Sequence, residues 1–219
     1  MAHTGHPSPV RGQSHGRLNR ETILDGAIAL IERDGRAALS MRRLGSELGV
    51  EGMAIYHHFQ GRDELLAAIG DRLLEHLREL ELGDDWREAC RRFATALRDI
   101  AVARPATFQL IGLQPLDTRL ALEPVERLLG VLVGVGFTAA EALATYRATV
   151  SYARGYALAE ATGFTVDGSQ SAGRGRLAAL PADEFPILGG QARELAELDA
   201  DSGFKLGLDA LLFGLGGPG

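Results

Sequence analysis

Four ring-bearing side chains follow one another directly at Tyr56, His57, His58 and Phe59, within the stretch VEGMAIYHHFQGRDELL. Neighbouring imidazoles can bind a metal ion or act as an acid–base pair, so a zinc site and a catalytic site are both hypotheses to weigh. Successive residues of a helix point about 100° apart, however, and no third metal ligand stands near His57 and His58. The spacing therefore disfavours a metal site. Two hypotheses remain: an enzyme that uses these histidines with nearby carboxylates, and a surface that recognises another molecule.

The chain of 219 residues contains a single cysteine, Cys90. An intramolecular disulfide is therefore impossible, and a reducing cytoplasm is the expected compartment. Cys90 falls on an apolar helix face between Trp86 and Phe93, which predicts a buried, inert thiol rather than a nucleophile. A metal-binding role remains an open possibility for the histidines of the first 17 residues. Elsewhere we expect no catalytic residue, no resident metal and no cofactor.

The composition is that of a soluble globular protein, with 46% hydrophobic and 24% charged residues. No apolar run reaches about eighteen residues, and the N-terminus lacks the apolar segment of a secretory signal, so we expect neither a membrane span nor export. The net charge is −6, but residues 1–62 carry eight arginines and six acidic residues, while the remainder is acidic. A mildly basic head on an acidic body favours an anionic partner at the head.

Apolar residues recur every three or four positions, and no strand-like alternation is present, which predicts an all-α fold. The first helix ends at Asp34-Gly35, and Ser40 is placed to cap the second. Gly49 is positioned for a left-handed turn, after which a short helix runs to Gly61. Further helices are predicted over Asp63–Leu80, over Asp84–Ile100, from Pro105, over Leu120–Val135, over Thr138–Thr162 and along Phe204–Leu215.

The segment Leu39–Phe59 has the organisation of a helix-turn-helix. Two short helices meet at the Gly49-Val50 turn, and their apolar residues can pack against the first helix at a steep angle. The second helix then projects from the body and fits a DNA major groove. Arg42 lies on the outer face of the first of these helices, within reach of guanine or phosphate. Arg62 opens the next helix, where its charge and the backbone N–H groups can meet phosphate.

These residues resemble the DNA-binding domain of the tetracycline repressor (TetR) family. The resemblance covers about Leu18 to Leu74 and rests on L-x-x-R-x-L-x-x-x-L-G-V, on the Y-x-H-F ending of the second helix, and on the following D-E-L-L. It implies a homodimer, a bundle of nine or ten helices, and a variable C-terminal domain for a small effector. We expect a disordered basic arm over residues 1–17, the helix-turn-helix domain over 18–64, and the ligand-binding and dimerisation domain over 65–219.

The resemblance also assigns expected DNA contacts. In the family the positions of Tyr56 and His58 mostly touch phosphate, which fixes register without reading sequence. Base reading would then fall to Arg42 and to the small apolar surface of residues 52–54, which suits a thymine methyl. At the start of the first helix, Arg17 and Arg20 could add phosphate or minor-groove contacts from the arm. The expected DNA-binding residues are Arg17, Arg20, Arg42, Gly52, Met53, Ala54, Tyr56, His58 and Arg62.

The C-terminal part resembles, more weakly, the effector domain of the tetracycline repressor. Three of that domain's polar anchors are changed: Arg78 replaces a histidine that holds the drug, Leu110 replaces the metal-binding histidine, and Phe93 replaces an asparagine. These departures predict no binding of magnesium-tetracycline and favour a largely apolar effector. The expected lining residues are Arg78, Phe93, Leu97, Leu110, Leu113, Leu143, Tyr146 and Val150. Which of the aromatic residues face a cavity, and which only fill the core, is left open by the sequence.

The predicted function is a regulator that a pocket ligand switches. The helix from Thr138 and the last helix are the expected dimer faces, forming a four-helix bundle across a twofold axis. Such a dimer would read a palindromic operator with half-sites about 34–36 Å apart. A ligand would move the helix Asp63–Leu80 and lower operator affinity. A repressor is favoured over an activator; an enzyme with its histidines in a concave pocket and a helical ligand carrier without a DNA role are the alternatives.

Overall fold

The computed structural model describes residues 18–111, 118–162, 175–176, 178–195, 197 and 199–218. All regular secondary structure in these residues is helical, which confirms the all-α class. The helices are α1 Arg20–Asp34, α2 Met41–Glu47, α3 Gly52–Tyr56, α4 Arg62–Leu73, α5 Glu75–Arg78, α6 Trp86–Ala103, α7 Pro105–Ile111, α8 Arg119–Gly134, α9 Ala139–Thr162, α10 Ala192–Leu195 and α11 Ala200–Gly214. A short 3-10 turn, Arg36–Ala38, joins α1 to α2. The arm 1–17, with Arg17, and the predicted cavity residue Leu113 lie outside the described residues.

The N-terminal helices begin and end at the polar and glycine residues that the sequence indicates. The Asn19 side chain caps α1 by accepting from the Thr22 N–H at 2.8 Å, and the Ser40 hydroxyl caps α2 by accepting from the Arg43 N–H. Gly49 follows α2 with a φ of 69°, which confirms the predicted left-handed turn. The buried side chains of α1–α4 then close one core, centred on Ile23, Leu30, Leu44, Ile55, Phe59 and Leu65.

The helix predicted over Asp63–Leu80 is interrupted. α4 ends at Leu73, Leu74 has φ −91° and ψ 2°, and α5 starts at Glu75. The apolar period continues through the break, and no glycine or proline marks it, so the sequence pattern alone predicts one long helix. The break separates a segment packed in the N-terminal core from one packed against α6 and α8.

The second core lies between α6, α8, α9 and α11, with α6 packed along α9. Arg98 of α6 is buried within it and ties the helices together. Its guanidinium donates two hydrogen bonds to the Glu160 carboxylate, at 2.9 and 3.1 Å, and a third to Asp201 at 3.0 Å. Burial alone would lower the pKa of Arg98, but these carboxylates raise it above its ordinary value. Along the described residues, no helix combines the length and apolar character needed to cross a membrane.

Direct contacts join the two cores. The Glu32 carboxylate of α1 accepts from the backbone N–H groups of Ala106 and Thr107, at 3.3 and 2.8 Å, at the start of α7. Leu110 of α7 is buried in the N-terminal core rather than in the second one. The Thr118 hydroxyl, which also caps α8, donates to Asp71 of α4. Helices α7 and α8 are thus hydrogen-bonded to α1 and α4.

Candidate nucleic-acid interface and effector cavity

Two glycines let the helices of the helix-turn-helix approach each other closely. A Cβ added at Gly45 of α2 would lie 2.8 Å from the Gly52 nitrogen and 2.9 Å from the Val50 carbonyl oxygen. A Cβ added at Gly52 would lie 3.3 Å from the Arg42 Cα. The backbones of α2 and α3 therefore meet at Gly45 and Gly52, and this contact fixes the angle at which α3 projects.

The turn after α3 is held by Arg20 at the start of α1. The Arg20 guanidinium donates to the His58 carbonyl and to the Glu64 carboxylate at 3.0 Å, and it lies 4.0 Å from the centre of the Phe59 ring. Glu64 also accepts from the Gln60 backbone N–H at 2.6 Å. That backbone hydrogen bond, together with the one from Arg20, lowers the pKa of the Glu64 carboxyl below its ordinary value.

Several predicted DNA-binding side chains are exposed to solvent. Arg42 and Arg62 are exposed, as are Met53, at 68%, and Tyr56, at 47%. Within the part of the chain that the structure describes, neither Arg42 nor Arg62 has an ion pair or hydrogen bond to its guanidinium, whereas Arg33 and Arg43 are paired with carboxylates. α2 and the start of α4 therefore each carry an available cation, and α3 carries an exposed apolar side chain.

The remaining predicted DNA residues lie in different surroundings. Ala54 and His58 are half-buried, and Gly52 faces the backbone of α2. Arg20 uses its guanidinium within the fold, so a phosphate contact there would have to share it with Glu64. The buried Phe59, at 1% exposure, confirms the interpretation of this ring as core. Sequence reasoning missed Gly45; its only signal was a glycine inside an amphipathic helix.

The structure brings the two histidines into no reactive cluster. His57 is exposed and His58 half-buried, and neither lines either of two open clefts formed by described residues, one bordered by Asp25 and Arg104 and the other by Leu82 and Arg127. Among these residues there is no group of three His, Cys, Asp or Glu side chains placed to hold a metal ion. Cys90 is fully buried, as the sequence predicted, and this burial raises the pKa of its thiol to about 11.

Four of the predicted cavity residues meet between α6 and α9. Phe93 and Leu97 are buried, and Tyr146 and Val150 pack against the same cluster. The Phe93 and Tyr146 rings are in edge contact, with centroids 6.1 Å apart. Burial raises the pKa of the Tyr146 phenol, so that hydroxyl is neutral at physiological pH. Leu143 is half-buried on α9.

Two predicted cavity residues lie apart from this group. Leu110 is in the N-terminal core, packed with residues of α1 and α4. Arg78 is half-buried at the end of α5, where its guanidinium lies 3.5 Å from Glu75. The Arg78 Nε is buried and has no hydrogen-bond partner among the described residues. An unpaired buried donor is costly, so a polar group of a ligand near Arg78 would remove a penalty.

Comparisons with known proteins agree with this architecture. Residues 23–69 match the family model described as "Bacterial regulatory proteins, tetR family", and residues 80–217 match "Tetracyclin repressor-like, C-terminal domain". The chain is 30% identical over 222 residues to an HTH-type transcriptional repressor of Mycobacterium tuberculosis, covering 94% of this chain and 83% of the relative. It is 25% identical over 203 residues to the class D tetracycline repressor protein of Escherichia coli, covering 90% and 89%.

A solved structure extends the comparison to a ligand complex. The Streptomyces coelicolor TetR family protein ActR, in complex with actinorhodin, superposes with a TM-score of 0.69 at 26% identity, covering 91% of this chain and 97% of that one. The matched family comprises transcriptional regulators rather than enzymes. The helix-turn-helix, the helical second domain and both family matches lead to one conclusion: this chain belongs to the TetR family of DNA-binding transcriptional regulators.

Proposed function

We propose that this regulator is a homodimeric cytoplasmic repressor that leaves a palindromic operator when a small, largely apolar effector binds. The observation that carries the proposal is the pair of unpaired arginines, Arg42 on α2 and Arg62 at the start of α4, on either side in the sequence of the exposed Met53 and Tyr56. Leaving two guanidinium groups without carboxylate partners, on a surface otherwise rich in ion pairs, suits a polyanionic partner.

The proposed DNA contacts fall into two groups: those that position the protein on the DNA backbone and those that recognise bases. Arg62, at the start of α4, and the Tyr56 hydroxyl are placed for phosphate, which sets the register of α3 in the groove. Arg42 on α2 can donate two hydrogen bonds to a guanine edge, and the Met53 side chain can pack on a thymine methyl. Arg20 acts through the turn that it holds, because it bonds the His58 carbonyl and Glu64.

The dimer is supported by the outer faces of α9 and α11. Leu206 and Phe213 of α11 are 70% and 83% exposed, although they lie on a helix whose opposite face is buried. The neighbouring outer face of α9 carries the small exposed residues Ser151 and Gly155. Large apolar side chains beside small ones favour close packing of the same two helices from a second copy, across a twofold axis.

The effector is proposed to occupy the region around Phe93, Leu97, Tyr146 and Val150. Its walls are apolar and aromatic, so they suit an apolar ligand with few polar groups. Phe93 and Leu110 stand where the resemblance expects an amide and a metal-binding imidazole, which argues against magnesium-tetracycline. The complex of ActR with actinorhodin shows that a relative of this chain binds a small molecule.

Coupling to DNA would pass through the contacts that join the cores. The hydrogen bond from Thr118 to Asp71 links α8 to α4. Arg127 of α8 also donates to the backbone carbonyls of Arg78 and Leu80, which follow α4 in the chain. A ligand that displaces α8 therefore pulls on α4, whose first residue is Arg62. A coupling free energy of about 1–3 kcal/mol changes operator affinity by roughly 5- to 150-fold.

The test of DNA recognition is fluorescence anisotropy with a labelled duplex from the gene's own upstream region, a scrambled duplex and a salt series. We expect tight, sequence-dependent binding that weakens steeply with salt. Arg62→Ala should weaken binding to both duplexes and reduce the salt slope by about one, whereas Arg42→Ala should mainly reduce the preference between them. Arg193→Ala, an exposed arginine on α10, is the matched control. Weak binding to both duplexes by ligand-stripped protein would favour the helical ligand-binding protein without a DNA role.

The dimer has a separate test. Phe213→Glu places a charge in the proposed interface, and we expect sedimentation velocity to show monomers and operator affinity to collapse. Phe185→Glu changes another exposed phenylalanine, 41% exposed and outside α9 and α11, and should leave the dimer intact. A Phe213→Glu protein that sediments as the wild type does would exclude this interface.

A further inference from the structure

A cleft of about 500 Å³ lies where α1, α4 and α6 meet, between the two cores. Its walls include Asp25, Ile28, Arg72, Ile100, Ala103 and Arg104. None of the seven described residues among those predicted for the effector cavity lines it. The volume falls in the range of small-molecule sites, about 300–1,000 Å³.

The polar groups of this cleft leave a positive charge without a full partner. Within the described residues, the Arg104 guanidinium has no ion pair or hydrogen bond; its backbone alone is bonded. Arg72 is paired with Glu75 at 2.9 Å, but it only approaches the Asp25 carboxylate, at 4.0 Å. Arg72 therefore keeps one close carboxylate partner, Glu75, and one distant partner, Asp25. The Arg104 guanidinium is unpaired among the described residues, and an unpaired cation at the cleft favours an anion.

The remainder of the lining is apolar. Ile28 of α1 is 8% exposed, and Ile100 and Ala103 continue the surface from α6. A ligand that placed its anionic group between Arg72 and Arg104 could lay a short hydrocarbon body on these side chains. Such a ligand would gain charge-assisted hydrogen bonds and bury apolar area together.

The cleft lies apart from the proposed DNA surface. Arg62 begins α4 and Arg72 stands ten residues later, near its end, which corresponds to about 15 Å along the helix axis. The cleft therefore opens at the end of α4 away from the proposed DNA surface. A phosphate held by Arg62 would not reach it.

We propose that this interdomain cleft is a second ligand site, for a small monoanion with a short apolar body such as a medium-chain carboxylate. The carboxylate binds between Arg72 and Arg104, and its chain packs on Ile28 and Ile100. Because the lining comes from α1, α4 and α6, an occupied site stabilises the relative placement of these three helices. The site is independent of the effector cavity and does not depend on the proposed operator function.

The test uses hexanoate as the probe and methyl NMR of the full chain labelled at the isoleucine δ1 positions. Ile28 and Ile100 report from the cleft, and Ile55 of α3 serves as the remote reference. Ile28→Val and Ile100→Val assign the two signals. We expect saturable shifts of the Ile28 and Ile100 methyl signals, no shift at Ile55, and weaker binding of the uncharged hexanol.

Charge reversal provides the decisive comparison. Arg104→Glu should raise the apparent Kd for hexanoate by about tenfold or more, because an ionic hydrogen bond becomes a repulsion. Arg104→Gln, which removes the guanidinium and its charge without adding a negative one, gives a smaller effect in the same direction if Arg104→Glu does not fold. Arg193→Glu is the matched control. The proposal is overturned if Ile28 and Ile100 do not respond, if hexanol binds equally well, or if Arg104→Glu binds as the wild type does. No DNA is present in the assay, so failure here leaves the repressor proposal standing.

Discussion

Replacing Gly45 with alanine tests the backbone contact that sets the projection of α3. The added Cβ would lie 2.8 Å from the nitrogen and 2.9 Å from the Cα of Gly52, and 2.9 Å from the Val50 carbonyl oxygen. All three atoms belong to the backbone, so no side-chain rotation relieves the overlap. Ordinary van der Waals contacts between such atoms are several tenths of an ångström longer than these distances. α3 must therefore move away from α2.

The size of the effect follows from two opposing terms. Forcing extra volume into a packed contact costs about 1–3 kcal/mol. Alanine in a helix interior is better than glycine by roughly 0.5–1 kcal/mol. Gly130 of α8 isolates the second term, because a Cβ added there meets no described atom within 4 Å. The free energies of unfolding of Gly45→Ala and Gly130→Ala should therefore differ by about 1–3 kcal/mol, with Gly130→Ala the more stable.

Urea unfolding at a fixed protein concentration measures this difference, since a dimer's stability depends on concentration. Fluorescence anisotropy with a labelled operator duplex should show that Gly45→Ala binds it more weakly. The expected loss of binding free energy is roughly 1–3 kcal/mol, the contribution of about one base contact. Gly130→Ala should bind as the wild type does. Equal stability of the two variants, or wild-type operator affinity in Gly45→Ala, would refute the claim that this contact fixes the angle of α3.

Three further predictions concern groups outside that contact. Arg98→Met leaves the largely buried Glu160 unpaired and should lower the free energy of unfolding by about 3–5 kcal/mol, part of which Glu160→Gln restores in a double-mutant cycle by urea unfolding. Glu64 has a lowered pKa in the folded state, so its ionised form stabilises the protein above its ordinary pKa of 4.5, and this contribution disappears as pH falls through the folded pKa. Thermal unfolding across pH should accordingly show Glu64→Gln less stable than wild type at pH 7, and no less stable once the wild-type Glu64 carboxyl is protonated in both the folded and the unfolded state. Cys90, with its pKa near 11, is about one part in a thousand thiolate at pH 8, so iodoacetamide should label it in urea and leave the folded protein unmodified; rapid labelling of the native state would contradict its burial.

Much of the N-terminal domain could be predicted because local chemistry determines it. Ser40 and Gly49 satisfy or redirect the backbone at helix ends, and those roles need only the neighbouring residues. Phe59 ends an apolar pattern that can only face the core. The exposed Arg42 and Arg62 were also foreseeable from the helical period, since each falls on the polar face of its helix.

Other features depend on distant parts of the chain and leave little trace in the pattern. The break at Leu74 arises where α4 leaves one core and α5 joins another, although the apolar spacing continues unchanged. Arg20 was expected at phosphate, but its partners, the His58 carbonyl and Glu64, are about forty residues away. The placement of Leu110 in the N-terminal core likewise depends on tertiary packing, because an apolar residue can fill either of two adjacent cores.

The burial of Leu110 beside α1, with Glu32 capping α7, bears on how such regulators can be recombined. Consider a chimera that joins this helix-turn-helix domain to another ligand-binding domain at the end of α4. It would leave a leucine-sized cavity in the N-terminal core and a carboxylate without its hydrogen-bond donors beside it. The exchangeable unit is therefore discontinuous: residues 18–73 together with α7. Grafts that carry α7 along with the head should fold and respond, whereas cuts made at the sequence boundary between the domains should not.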